Sequence, residues 1–141
     1  MRSVGKRILW VVLAVAGVGV AFTYAQVGIA IDSIRFDLRS IGASVYQAHA
    51  RTGRWPETIA DLDGTEYLLM PYRRGVLEDR LFVVVWPRDL DPNPERNPSR
   101  ILAYDHGSLL SRLGIVYVCR GDLRTERVAG DELRELQNRS Q

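Results

Sequence analysis

From Ile8 to Ile31 the chain runs for 24 residues without a charge, reading ILWVVLAVAGVGVAFTYAQVGIAI. As a helix this run would be roughly 36 Å long against a hydrocarbon core of about 30 Å, so the pattern predicts a membrane-spanning helix. The apolar periodicity continues past it. Val27, Ile31, Ile34, Leu38, Ile41, Val45 and Ala48 recur at alternating steps of four and three, which lays one stripe along an amphipathic continuation of the same helix. Asp32, Arg35, Arg39, Ser40, Ser44 and Gln47 fall off that stripe. Arg51 in the last turn, Gly53 at the cap and Pro56 beyond it mark the stop. A helix from about Ile8 to Thr52 would reach roughly 68 Å. Three heptads are short for a free coiled coil, so the packing stripe Ile31, Ile34, Leu38, Ile41 and Val45 is expected to cover the core of the domain that follows.

Beyond the cap the period shortens. Glu57 to Leu62 predicts a short helix, and Tyr67 to Pro71 reads as an apolar link. Leu81 to Trp86 (LFVVVW) is the best strand, rich in β-branched and aromatic residues and closed by Pro87. Asp89 to Arg100 (DLDPNPERNPSR) has three prolines and no apolar period, which predicts a mobile loop. Ile101 to Tyr104 and Ile115 to Cys119 read as further strands, and Leu123 to Val128 alternates like a charged edge strand. Gly121-Asp122 between the last two suits a tight hairpin turn. Asp131 to Gln137 predicts a short helix with Leu133 and Leu136 inward. The expected class is α+β: a long amino-terminal helix packed on a small antiparallel sheet of about four strands. The expected divisions are residues 1–31, a basic tip with the membrane helix; 32–53, its amphipathic continuation; and 54–141, the sheet domain.

Charge refines the picture. The 141 residues hold 19 Lys+Arg and 17 Asp+Glu, a formal net charge of +2 with 46% hydrophobic residues. Arg2, Lys6 and Arg7 precede the apolar run without an acid, whereas Asp32, Arg35, Asp37 and Arg39 follow it with mixed signs. The positive-inside bias puts the amino terminus in the cytoplasm and the following domain outside a cytoplasmic membrane, with the lipid bilayer as a partner. A cleaved secretory signal, cut after Ala25, is the rival reading. The part beyond Ile31 is near neutral, with 16 basic residues against 17 acidic, so a nucleic-acid partner is not expected.

Candidate chemistry is sparse. Cys119 is the only cysteine and the histidines are His49 and His106, which excludes an intramolecular disulfide and a structural zinc site. Asp105, His106 and Ser108 or Ser111 contain the groups of a hydrolytic triad, but adjacent strand residues point to opposite faces and no G-x-S-x-G elbow exists. Neither catalysis nor a cofactor is expected. His49 suits a cap at the helix end, and Cys119 a small buried apolar role. The acid pairs Asp61/Asp63 and Asp89/Asp91 could help hold calcium in loops, although the segment Asp89 to Glu95, with three acids, lacks the spacing of a calcium loop. Arg120-Gly121-Asp122 matches an adhesion tripeptide, although Gly-Asp is ordinary turn chemistry. The candidate recognition loop carries Trp86, Asp89, Asp91, Glu95 and Arg96.

A membrane helix running into an amphipathic helix, then a Gly-x-x-Pro step and a small antiparallel sheet, resembles the type IV pilin and pseudopilin superfamily. Tyr46 to Leu62 (YQAHARTGRWPETIADL) looks like the junction after the first helix in major pseudopilins of type II secretion. Ile101 to Leu133 is similar to the carboxy-terminal end of pilin-like proteins abundant in planctomycetes, where an Asp-Gly turn sits between the last strands. Here Arg120-Gly121 takes that place. The resemblance implies a non-catalytic, single-span structural or assembly subunit whose partners are other pilin-like or secretion-system subunits. The chain departs from it at the processing site: Gly5 is followed by Lys6, Trp10 stands where the family has glutamate, and no acid occurs from Met1 to Ile31. A membrane-tethered or exported binding module is the alternative.

Overall fold

A computed structural model of the chain describes residues 2–129 and 131–134, with side chains from Trp10 onward except at residue 11. The side chains of Arg2, Lys6 and Arg7, and Leu136 with the end of the expected carboxy-terminal helix, lie outside the described residues. The chain divides into two compact units, Met1–Ser33 and Ile34–Gln141. Helix α1 (Arg2–Thr52) supplies the first unit and opens the second. From Trp10 to Ala30 every described side chain is exposed. Thr23 Oγ1 donates to the Gly19 carbonyl at 2.9 Å, so this hydroxyl is satisfied within its own helix, as a span in lipid requires. α1 closes on Gly53, whose φ of +74° suits glycine and whose amide donates to the His49 carbonyl at 2.8 Å.

The second unit is built on an antiparallel meander: β1 (Phe82–Val84), β2 (Ile101–Asp105), β3 (Ile115–Arg120) and β4 (Thr125–Ala129), adjacent in that order. The fold is therefore α+β, a long amino-terminal helix with a four-stranded antiparallel sheet. β3 is central, paired with β2 and β4, and its residues from Val116 to Cys119 are buried. β1 and β4 are the edges, as the charged alternation of the last strand requires. Pairing of β2 with β3 shifts by one residue between Ile101 and Ala103, a bulge that falls at Leu102.

Several boundaries differ from the expectations. β1 is shorter than Leu81 to Trp86, although Val85 N still donates to Leu102 O at 2.8 Å. The expected helix at Glu57 to Leu62 is a 3₁₀ turn over Ile59–Leu62. Tyr67 to Pro71 is no plain link: a 3₁₀ turn over Tyr67–Leu69 leads into α2 (Pro71–Glu78), which starts on a proline and buries only Leu77. With Gly75 inside it and two arginines in its first turns, α2 has no stripe to read. A single turn, α3 (Leu109–Arg112), fills the connection before β3, with Ser108 Oγ accepting from Ser111 N at 3.1 Å. The last hairpin has four residues between its strands, and the positive φ falls on Leu123 (+64°), not on Gly121. Residues 131–134 are helical and Leu133 is buried, as expected.

Candidate functional site

The stripe of α1 is buried where the second unit exists to bury it. Leu38, Ile41 and Val45 are fully enclosed, Ala48 nearly so, and Ile34 is half-buried. Ile31 belongs to the first unit, as does Val27, which is exposed. Gly42, between stripe positions, lets the helix approach the sheet. A Cβ there would sit 2.7 Å from Cys119 Sγ, 3.1 Å from Leu123 Cδ2 and 3.5 Å from Leu102 Cδ1. Cys119 is the buried apolar residue expected, and burial pushes its thiol up to about 12, with Asp122 adding to the effect. The other sheet face holds a second cluster of Ile101, Val116, Val118, Val128 and Leu133, flanked by Val85 and Tyr104. The bulge at Leu102 is what allows Ile101 and Tyr104 to share that face.

The proline-rich loop is pinned by one buried amide. Asn97 Nδ2 donates to the carbonyls of Asp91 (2.8 Å) and Asn93 (3.2 Å) and to Tyr46 Oη (2.9 Å), while its Oδ1 accepts from Asp91 N at 3.0 Å. Tyr46 Oη in turn donates to the Gly121 carbonyl at 2.7 Å. A Cβ on Gly121 would fall 2.5 Å from Asn97 O, so glycine is needed for close approach rather than for turn geometry. Helix, loop and last hairpin thus meet at Tyr46, Asn97 and Gly121; the sequence reading marked Gly121 only as turn chemistry and gave Tyr46 and Asn97 no role. The Asn-Pro step at Asn97 was the available signal, but it reads first as a turn.

The candidate recognition residues are not gathered into one site. Asp91 pairs with Arg96 at 3.3 Å and Asp89 with Arg100 at 2.9 Å. Glu95 N donates to Asn93 Oδ1 at 3.1 Å in a capped 3₁₀ turn over Pro94–Arg96. The Asn93 amide and then the Arg96 guanidinium hold the Asp91 carboxyl below its ordinary value. Trp86 lines a cleft of about 670 Å³ with Arg54, Trp55, Glu57, Pro87 and Arg88. Asp89, Asp91, Glu95 and Arg96 do not line it.

The other acids are likewise engaged. Asp61 accepts from the backbone amides of Glu57 and Thr58, each at 3.0 Å, and pairs with Arg54 at 3.1 Å. Asp63 pairs with Arg74. Buried Asp105 accepts from Ser108 N at 3.2 Å and from Ser108 Oγ, so carboxylate and hydroxyl form a local cap. Exposed His106 instead sets its ring edge-on to Tyr104, 6.4 Å between centroids. His49 lies in the last turn of α1, as expected, and its ring also stacks on Trp55 with 3.9 Å between centroids. Within the tripeptide, Arg120 pairs with Glu126 and Gly121 is buried, so it is not displayed for adhesion.

One further cluster lies near the start of the second unit. The Arg73 guanidinium sits 4.7 Å from the Tyr67 ring centroid, 5.8 Å from Phe36 and 5.9 Å from Tyr72. Burial pushes the Asp37 carboxyl up, with Arg73 pulling it partly back. Comparison of the chain with protein-family models, curated proteins and solved structures finds no match.

Proposed function

We propose that the protein is a non-catalytic, single-span membrane protein of pilin-like design, a structural or assembly subunit held in the cytoplasmic membrane with its sheet domain outside. The observation that carries this reading is the double character of α1. One helix, Arg2–Thr52, contains both an uncharged run long and apolar enough to cross a membrane and the stripe Leu38, Ile41, Val45 and Ala48, buried in the sheet domain. A signal destined for removal has no need of such a continuation. The carboxylates that could have served acid–base or metal chemistry are bonded to nearby arginines, amides or Ser108, which suits a scaffold.

Fractionation with alkaline extraction and protease treatment of right-side-out spheroplasts tests this. The chain is expected to stay in the membrane pellet, with residues beyond α1 digested from outside. Release by alkali, or full protection from protease, overturns it. Intact mass reports in the same sample whether cleavage occurs after Gly5, after Ala25 or not at all.

A second reading, a tethered or exported binding module, draws on the cleft between Trp55 and Trp86 and its flanking Arg54 and Arg88. Crosslinking in native membranes separates the two: a subunit yields a ladder of pilin-like neighbours, a binding module one unrelated partner.

A further inference from the structure

The cleft of about 670 Å³ between Trp55 and Trp86 is lined also by Arg54, Glu57, Pro87 and Arg88. Both indoles are half-buried, and the Trp55 ring is backed by the stacked His49 ring at 3.9 Å and by Tyr46 edge-on at 5.5 Å, so the cleft is formed before anything enters it. Arg54 is paired with Asp61, whereas Arg88 and Glu57 are exposed and make no salt bridge among the described residues. The cleft therefore offers two aromatic rings and one open charge of each sign.

The loop Asp89 to Arg100 carries the complement. Pro92 is exposed, Pro94 is half-buried, and Asn93 between them is extended, with φ −85° and ψ 113°. Extended proline-rich segments dock in aromatic-lined grooves because their preset backbone loses little freedom on binding. Exposed Glu95 makes no salt bridge among the described residues, and the Arg96 side chain stays 71% exposed in its pair with Asp91. Glu95 thus matches Arg88, and Arg96 matches Glu57. The Asn97 bonds and the Pro94–Arg96 turn have already ordered the loop, which lowers the cost of docking it. Within one chain the two surfaces do not meet: no residue from Asp89 to Arg100 lines the cleft, and Asn97 ties the loop to Tyr46 instead.

We propose that the cleft between Trp55 and Trp86 receives the loop tip, residues 92–96, of a second copy of this chain, with Glu95 of one copy on Arg88 of the other and Arg96 on Glu57. This rests on the subunit reading above and names its neighbour; the cleft that the second reading leaves to an unrelated partner is filled here by the chain itself. The rings supply contact area and the charges fix the register. Cleft and loop are different surfaces, so each contact leaves a free loop on one copy and a free cleft on the other, and copies add head to tail.

The test uses full-length chains carrying two different epitope tags, reconstituted together in phosphatidylcholine/phosphatidylglycerol liposomes. Arg88→Glu and Glu95→Arg are each expected to lower co-isolation of the two tags severalfold. Mixing Arg88→Glu chains with Glu95→Arg chains is expected to restore it, because each cleft then finds a loop of opposite charge and both variants are shown to be folded. In a Cys119→Ala background, oxidation is expected to join Arg88→Cys on one tag to Glu95→Cys on the other severalfold more than it joins Leu109→Cys to Glu95→Cys. Co-isolation that neither charge reversal changes overturns the docking and leaves the subunit reading standing, and so does the absence of co-isolation between unsubstituted chains. A loss that mixing does not restore, with no excess of the 88–95 disulfide over the control pair, overturns the docking as well. Chains recovered outside the liposomes overturn the membrane subunit, and the disulfide pair then decides the docking in solution.

Discussion

Ser44 Oγ and Tyr67 Oη are buried without a hydrogen-bond partner among the described residues. An unpaired buried hydroxyl costs about 1–3 kcal/mol, so Tyr67→Phe is expected to stabilise the full chain in micelles by about 1 kcal/mol, read as a raised urea midpoint. A lowered midpoint would mean the hydroxyl has a partner. The opposite sign belongs to Gly42. Alanine ordinarily favours a helix interior, yet a Cβ 2.7 Å from Cys119 Sγ overpacks the helix–sheet contact. Gly42→Ala is expected to cost about 1–3 kcal/mol, and to cost less in a Cys119→Ala background. A double-mutant cycle with no coupling would contradict that geometry. The sequence marked Cys119 as buried because a lone cysteine in an apolar strand has few other uses. It did not mark Gly42, since a glycine in a helix looks the same whether it faces solvent or a strand.

At the scale of elements, the loop Asp89 to Arg100 shows how composition misleads. Three prolines and no period read as mobility, but the polar residues that break the pattern are the ones that tie the segment down. Asn97→Ala removes all four bonds of the buried amide and is expected to cost about 2 kcal/mol, with faster amide exchange at Asp91 and Asn97. Unchanged exchange would show that the prolines alone hold the loop. Its pH response follows from Asp91. The carboxyl is depressed in the folded chain, so its contribution is present above the ordinary value of 3.8 and is lost as pH falls through the lower folded value. The Asn93 amide resonance is expected to move in that acid window and to be silent there in Asp91→Asn. Asp37 has the opposite sign: raised by burial, it favours folding in its protonated form and opposes it as pH rises from 3.8 through the folded value. The short elements were missed for a related reason. α2 and α3 bury Leu77 and no residue respectively, so their helical state comes from Pro71, Ser108 and the chain around them, and no stripe announces it.

For the whole molecule, the decisive quantity is the uncharged run. Arginine at the centre of a span costs about 2.5–3.5 kcal/mol where valine is favourable by a few tenths. Val18→Arg combined with Val20→Arg is therefore expected to move most of the chain from the alkali-resistant pellet to the soluble fraction, while Leu109→Arg, exposed on α3, is expected to change nothing. Equal partitioning of the double variant and the native chain would show that the run does not hold the protein in lipid.

By itself the sequence determined whatever depends on near neighbours: the length of the uncharged run, the four-three stripe through Ala48, the stop at Gly53 and the strand character of β1 to β4. Each is a matter of residues within a few turns or strand positions, where periodicity and chain length act directly. Only the tertiary structure decided that Gly42 meets Cys119, that Asn97 joins Tyr46 beside Gly121, that Leu133 closes the second sheet face, and that Arg73 gathers Phe36 and Tyr72. Gly42 and Cys119 stand 77 positions apart in the chain, Tyr46 and Asn97 51, and Phe36 and Arg73 37, and their meeting is set by packing and hydrogen-bond satisfaction in three dimensions, which no local pattern encodes.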